Sequence, residues 1–297
     1  MDRLLITGGS GLLGSSLVSL APKGYKVFAT YRTNPPKGAV ALKAEMNDSE
    51  LLRKTIETIR PKLVIHTTAA TDIEWCEMHP NEAHFVNVAA TDVLASASTS
   101  IGAKFIYIST DSVFDGTKGW YKEDDHTNPL NVYSKTKLVG ERMAANYDNS
   151  LIIRTTFYGF SHFAAKESFV PKIVRRLRQN MTIRAATDVI NNPLIVSKLS
   201  ESIYALFEKG VTGTYHVASS NAMSNYDSAI QIARIFGLDR SLIQKTTLKE
   251  LASELKWKAR RPLNTSLNPE KASKVIDIPS LDESLKALQK IEKNQAT

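Results

Sequence analysis

A single cysteine, Cys76, occurs in 297 residues. It cannot close an internal disulfide, and no cysteine-rich metal site can form around it. Long apolar runs are missing too. None approaches the ~20 residues needed to span a bilayer, so no membrane partner is expected. The chain opens with MDRLLITGGSG, which turns straight into a strand and a glycine-rich loop. No basic-then-apolar export signal precedes it, and a reducing, cytoplasmic setting is the expectation. No internal repeat or low-complexity tract interrupts the chain. The six histidines (His66, His79, His84, His126, His162 and His216) lack metal-ligand spacing, and no metal is expected.

What is present is ordinary for a globular protein. Hydrophobic residues make up 42% and charged residues 23%. The length suits one large domain or two modest ones sharing a core. A net charge of +8 raises nucleic acid or an anionic small molecule as partners. The Lys and Arg are spread along the chain, however, and a solvated surface is the plainer reading. No nucleic-acid partner is expected.

Short apolar runs alternate with helical periodicity through the first half, the mark of βαβ units and a parallel sheet. Strands are predicted at Arg3–Thr7, Lys26–Thr30, Ala39–Leu42, Leu63–Thr67, Lys104–Ser109 and Leu151–Arg154. Helices should begin near Gly11, Ser49, Pro80 and Tyr133. Beyond Arg154 the rhythm changes. Glu167–Gln179 reads as a helix with a basic face, Gly213–Ala218 as a strand, and Asn225–Phe236 as a helix stopped by Gly237. Pro262 and Pro269 bracket a loop, and Leu281–Ile291 reads as a last helix. The expected fold is α/β: a Rossmann-type doubly wound parallel sheet with a smaller α/β substrate-binding domain. A dinucleotide-binding domain is placed at 1–156 and a mainly substrate-binding one at 157–297, with some later segments returning to the first.

The first strand runs into Gly8, Gly9, Ser10, Gly11, Leu12, Leu13 and Gly14. Glycines at 8, 11 and 14 serve a tight turn, close backbone approach to a pyrophosphate, and helix–strand packing. The helix that follows points its positive end at the anion. The alternative is a glycine-rich turn with no ligand. The second strand ends Ala29-Thr30-Tyr31-Arg32. It offers no carboxylate for a ribose 2′-hydroxyl, which an NAD site usually has. Arg32 instead suits a 2′-phosphate, unless it is a plain surface arginine. NADPH is the expected cofactor, with NADH the alternative.

Tyr133 is the one tyrosine with a lysine four residues on, Lys137. Helical spacing puts both on one face. They follow a strand ending in Ser109-Thr110-Asp111, at the sheet edge where ligands bind. A phenol titrates near ~10, and a neighbouring Lys⁺ lowers that value. Tyr133 is then expected to give a proton to a carbonyl oxygen, with the Thr110 hydroxyl steadying the same oxygen. Asp111 is expected to hydrogen-bond local backbone.

These motifs together resemble the extended short-chain dehydrogenase/reductase superfamily and, within it, the dTDP-4-dehydrorhamnose reductase family. Ile108–Gly116, Asn128–Glu141 and Arg261–Leu267 carry the likeness most clearly. The resemblance implies reduction of the 4-keto group of a nucleotide-diphosphate 6-deoxysugar, as in dTDP-rhamnose biosynthesis. Thr110, Tyr133 and Lys137 would be catalytic. Gly8, Ser10, Gly11, Leu12, Leu13, Gly14, Tyr31, Arg32, Thr68, Ala69, Ala70 and Thr156 would hold the cofactor, with Tyr133 and Lys137, the latter at the nicotinamide ribose. Ser112, Phe157 and Arg261 would meet the substrate, Arg261 at its diphosphate, with Arg260 beside it and the Arg175–Arg178 helix as the alternative. A homodimer is one assembly the resemblance admits.

Three positions depart from that pattern. Ser112 stands where Tyr is usual, Arg154–Gly159 lacks the usual Trp, and Asn191-Asn192-Pro193 replaces a Gly-Ser-Pro near the substrate. The third residue of the 4,6-dehydratases' Thr-Asp-Glu is here Ser112. Two other functions stay open: a sugar-nucleotide epimerase with bound NAD, and a cofactor-binding regulatory subunit resembling that of methionine adenosyltransferase.

Overall fold

Leu4, Leu5 and Ile6 fill the centre of β1 (Asp2–Thr7), and all three are buried. Successive strand side chains point to opposite faces, so an uninterrupted apolar run needs cover on both sides. β2 (Tyr25–Tyr31), β3 (Val40–Lys43), β4 (Leu63–His66), β5 (Lys104–Ile108) and β6 (Ser150–Arg154) extend the sheet, every pair parallel. A seventh strand, Gly213–His216, pairs with β6. This computed structural model describes residues 1–160 and 168–296. His162 and Glu167, the expected first residue of the basic helix, lie outside the described residues.

The strand order is Gly213–His216, β6, β5, β4, β1, β2, β3. The chain leaves β1 for β2 and β3, then returns to its other side for β4. That reversal opens a crevice at the carboxyl ends of β1 and β4, where doubly wound sheets bind ligands. Leu5, Val64, Phe105 and Ile152 pack against the helices Ser49–Ile59 and Ala90–Ser100. Leu4, Ile6, Ile65 and Ile106 face the helices Leu12–Ser19 and Val196–Glu208 on the other side. Tyr204 ties those two helices by donating its hydroxyl to the Leu17 carbonyl at 2.6 Å.

A smaller core forms beyond β6. Helices Phe169–Arg178, Asn225–Phe236 and Leu281–Ala296 bury Ile173, Val174, Ile232, Leu285 and Leu288 over the parallel pair Ile183–Ala186 and Ile243–Thr246. The architecture is the expected Rossmann-type sheet with a smaller α/β part. Among the described residues, no helix is long and apolar enough to cross a membrane.

Candidate active site

Gly8 turns β1 toward the next helix with φ of +70°, and its N–H donates to the Thr30 hydroxyl at 3.0 Å. Gly9 N–H donates to the Thr30 carbonyl, and Gly11 N–H to the Gly8 carbonyl. A Cβ at Gly14 would lie 2.0 Å from the Gly8 oxygen, so only glycine lets the helix Leu12–Ser19 sit on the turn. Gly11 is that helix's N-cap and supplies no side-chain acceptor. The helix N-terminus therefore opens into the crevice without a cap, as a phosphate site requires. A Cβ on exposed Gly11 would meet the Gly8 oxygen alone, at 3.2 Å. The Thr68 hydroxyl, buried beside this turn, has no hydrogen-bond partner. An uncapped helix, an exposed Gly11 with no side chain and an unsatisfied hydroxyl all fit a dinucleotide.

The crevice has two lobes that share Gly8, Thr68, Ala69 and Thr71. One lobe, about 600 Å³, is lined by Ser10, Thr30, Tyr31, Arg32, Glu45, Ala70 and Trp75, among others. The other, about 540 Å³, is lined by Gly11, Leu12, Leu13, Gly14, Thr110, Tyr133, Thr156 and Phe157. Gly9 and Thr30 correct one expectation. Thr30 is the buried anchor of the glycine turn, so it is not the place where a ribose-binding carboxylate would stand. Glu45, just after β3, and Asp72 are the acids that line this lobe.

At the far end of the second lobe, the helix Val132–Ala145 presents Tyr133. Asn131 caps that helix, accepting from Ser134 N–H and donating to the Arg260 carbonyl. The cap thus fixes the tyrosine against the loop that carries Arg261. Burial pushes the Tyr133 phenol up to about 12, while a hydrogen bond with Thr110 pulls it the other way. The phenol is fully protonated at neutral pH. Lys137 does not lower it, contrary to the sequence-based expectation. Its ammonium is turned away, donating to the Ile108 carbonyl at 2.8 Å over the Tyr107 ring. Burial pushes Lys137 itself down to about 7, against the pull of Glu141.

Thr110 Oγ1 donates to Asp111 Oδ1 at 3.1 Å and accepts from Ser112 N–H. Asp111 also accepts from Thr265 at 2.6 Å and from the Ser112 hydroxyl at 3.3 Å. Its partners are therefore chiefly hydroxyls, with the Ser112 N–H as the expected local backbone contact. Burial raises its carboxyl above the usual range, with those hydroxyls opposing.

Other expected substrate residues are not gathered in the lobes. Ser112 lines neither lobe. Arg261 stacks on Trp257 and pairs with Glu74 at 3.1 Å, with its Nε buried and unpartnered. Asn192 is fully buried and pins the chain at Ser219 and Leu267; it is a brace, not a substrate contact. Arg178 bonds Glu292 and Arg176 bonds the Thr182 carbonyl, a surface role. Sequence reading missed Asn87. From a π-helical stretch, Phe85–Ala89, its amide bonds both polar backbone groups of Ala70 and the Thr136 hydroxyl, joining the cofactor lobe to the tyrosine helix.

The family described as RmlD substrate binding domain matches residues 1–293. A probable low-salt glycan biosynthesis reductase, Agl14, of Haloferax volcanii is 30% identical over 292 residues, covering 96% of each chain. Methionine adenosyltransferase 2 subunit beta of Bos taurus is 30% identical over 90% of this chain and 80% of its own. Among solved structures, a hypothetical dTDP-4-dehydrorhamnose reductase from Sulfolobus tokodaii superposes with a TM-score of 0.84 at 33% identity, covering 94% and 97% of the two chains. The dTDP-4-dehydrorhamnose reductase of Bacillus anthracis, in complex with NADP, gives 0.86 at 26% identity over 98% and 99%.

Proposed function

The chain belongs to the RmlD substrate binding domain family, and from that premise we propose that it reduces the 4-keto group of a nucleotide-diphosphate 6-deoxysugar with NADPH. One observation carries the reading. A single crevice joins an uncapped helix N-terminus to a protonated tyrosine phenol beside Thr110.

Bound NADPH supplies the hydride. The chain's residues do the rest. The turn Gly8–Gly14 and the helix start at Leu12 and Leu13 would hold the pyrophosphate, with Ser10, Thr68, Ala69, Ala70 and Thr156 along the walls. Tyr133 holds a proton on its phenol oxygen and can release it to a sugar carbonyl oxygen as charge develops there. Thr110 can turn its hydroxyl from Asp111 to the same oxygen. Lys137, swinging from the Ile108 carbonyl, would hold the nicotinamide ribose. Arg261 is the candidate for the diphosphate, its unpartnered Nε being a donor that Glu74 does not use.

The test is NADPH oxidation across a panel of nucleotide-linked 4-keto sugars. Oxidation that depends on one sugar is the expected result. Interconversion of sugars with no net NADPH use would replace the reading with an epimerase. A second reading draws on the likeness to methionine adenosyltransferase 2 subunit beta: a cofactor-binding regulatory subunit. It requires NADPH binding without turnover of any sugar in the panel.

Cofactor choice is testable at Arg32, which is exposed on the rim of the first lobe. Its guanidinium matches a 2′-phosphate in charge and geometry. Arg32→Ala should erase a preference for NADPH over NADH of about five- to thirtyfold, and rising salt should shrink that preference in the unaltered protein. The ratio of kcat/KM for the two cofactors reads it. An unchanged ratio would leave Arg32 as surface decoration.

A further inference from the structure

Glu141 lies on the tyrosine helix, one turn beyond Lys137, and is buried. Its Oε1 accepts from the Ser109 hydroxyl at 2.5 Å. Arg154 grips both carboxylate oxygens, Nε at 3.0 Å from Oε1 and Nη2 at 2.8 Å from Oε2. Ser109 immediately precedes Thr110 at the tip of β5. Arg154 ends β6, just before Thr155 and Thr156, which line the second lobe. One carboxylate therefore touches all three segments that frame the chemistry.

We propose that Glu141 is a positioning residue: held by Ser109 and Arg154 one helical turn beyond Lys137, its carboxylate locks the Tyr133 helix to the tips of β5 and β6 and readies the Lys137 ammonium for a cofactor ribose. The charges around the pair support this. Lys137 faces the Tyr107 ring from β5 and His66 from β4. Burial holds His66 neutral, pushed down to about 3. Arg154 reaches the Glu123 carbonyl and lies beside His216 of the seventh strand, which is also held neutral at about 3. Tyr107 and Tyr133 are uncharged phenols, both raised by burial. The Glu123 carboxylate accepts from the His216 N–H and Arg154 balances Glu141 itself, so Glu141 is the anion that acts on Lys137. Removing it leaves Lys137 in a buried site with nothing to offset the loss of solvent.

The cofactor role rests on the reading above, but the test does not need the sugar. NADPH affinity is followed against pH by cofactor fluorescence, in the full chain. In the unaltered protein, affinity should fall as pH rises through about 7, where Lys137 loses its proton. Glu141→Gln should move that midpoint down by about one unit or more, the scale of losing a neighbouring opposite charge. Affinity at pH 7 then drops about fivefold or more, while well below the midpoint the two proteins bind alike. Glu141→Asp should recover most of the shift. An unmoved midpoint in folded Glu141→Gln overturns the proposal. So does a loss equal at every pH, which marks a structural role only. Should Glu141→Gln not fold, Ser109→Ala leaves both charges and leaves the carboxylate to Arg154 alone, drawn away from Lys137. It should move the midpoint the same way by less, and an unmoved curve counts against the proposal. If no sugar is turned over, these binding curves still decide about Glu141.

Discussion

Tyr133→Phe should lower turnover about 10²-fold or more, the scale expected for losing a general acid, with NADPH affinity nearly unchanged. The phenol sits at about 12 because it is buried, so it keeps its proton throughout neutral pH. Phe preserves the ring and removes only the donor. Lys137 has its partner in the Ile108 carbonyl and not in the phenol, so its reach to the cofactor is untouched. The loss should therefore appear in kcat and not in the cofactor's dissociation constant. The same geometry sets a pH profile. A tyrosine this high cannot produce a limb near pH 10, whereas Lys137 discharges at about 7. The unaltered protein's kcat/KM should decline as pH rises through that lower value. Near-normal turnover in a folded Tyr133→Phe protein would remove the tyrosine from its role.

Gly11→Val should remove NADPH binding and spare the fold. The Gly11 backbone, at φ −72° and ψ 170°, is extended and open to any residue. The added side chain would enter the space before the helix N-terminus. A pyrophosphate kept off that terminus loses at least two charge-assisted hydrogen bonds. At about 1.5–3 kcal/mol each, affinity should fall roughly 10²-fold or more. Calorimetry gives the affinity, and Tm should stay within a few degrees. Gly14→Ala makes the contrast. Its Cβ would press on the Gly8 carbonyl and on Gly9 Cα at 3.0 Å, so it should lower Tm and affinity together. Unchanged NADPH binding in Gly11→Val would dismiss this turn as the phosphate site.

The parts of this molecule readable from the chain were those set by short-range physics. The central strands β1, β4, β5 and β6 were legible because their runs are apolar and both faces are covered, whereas the pair Ile183–Ala186 and Ile243–Thr246 was missed. Asn225–Phe236 was legible at both ends: Ser224 caps it, and Gly237 stops it at φ +66°. The helix Val196–Glu208 was missed although Val196, Leu199, Ile203 and Leu206 are spaced for it and buried. The helix Ile73–Met78 and the π-helical turn after it are too short to show a period. Side-chain direction was the harder limit. Thr30 ends the second strand where an NAD site usually has its carboxylate, yet its hydroxyl points under Gly8. Lys137 sits one turn from Tyr133, yet its ammonium goes to a carbonyl. The meeting of Glu141, Arg154 and Ser109 depends on strand order, which no local pattern records.

The seventh strand bears on how this chain can be cut. Gly213–His216 covers the edge of β6, and Leu199, Ile203, Leu206 and Tyr215 complete one face of the first sheet's core. A fragment ending near residue 156 would carry the whole glycine turn and Tyr133. It would also bare an unpaired strand edge and an open apolar face, the template on which chains aggregate. The crevice is therefore not a portable module. Protease nicking between the two cores should leave pieces that stay together, since the later piece fills one face of the first sheet's core.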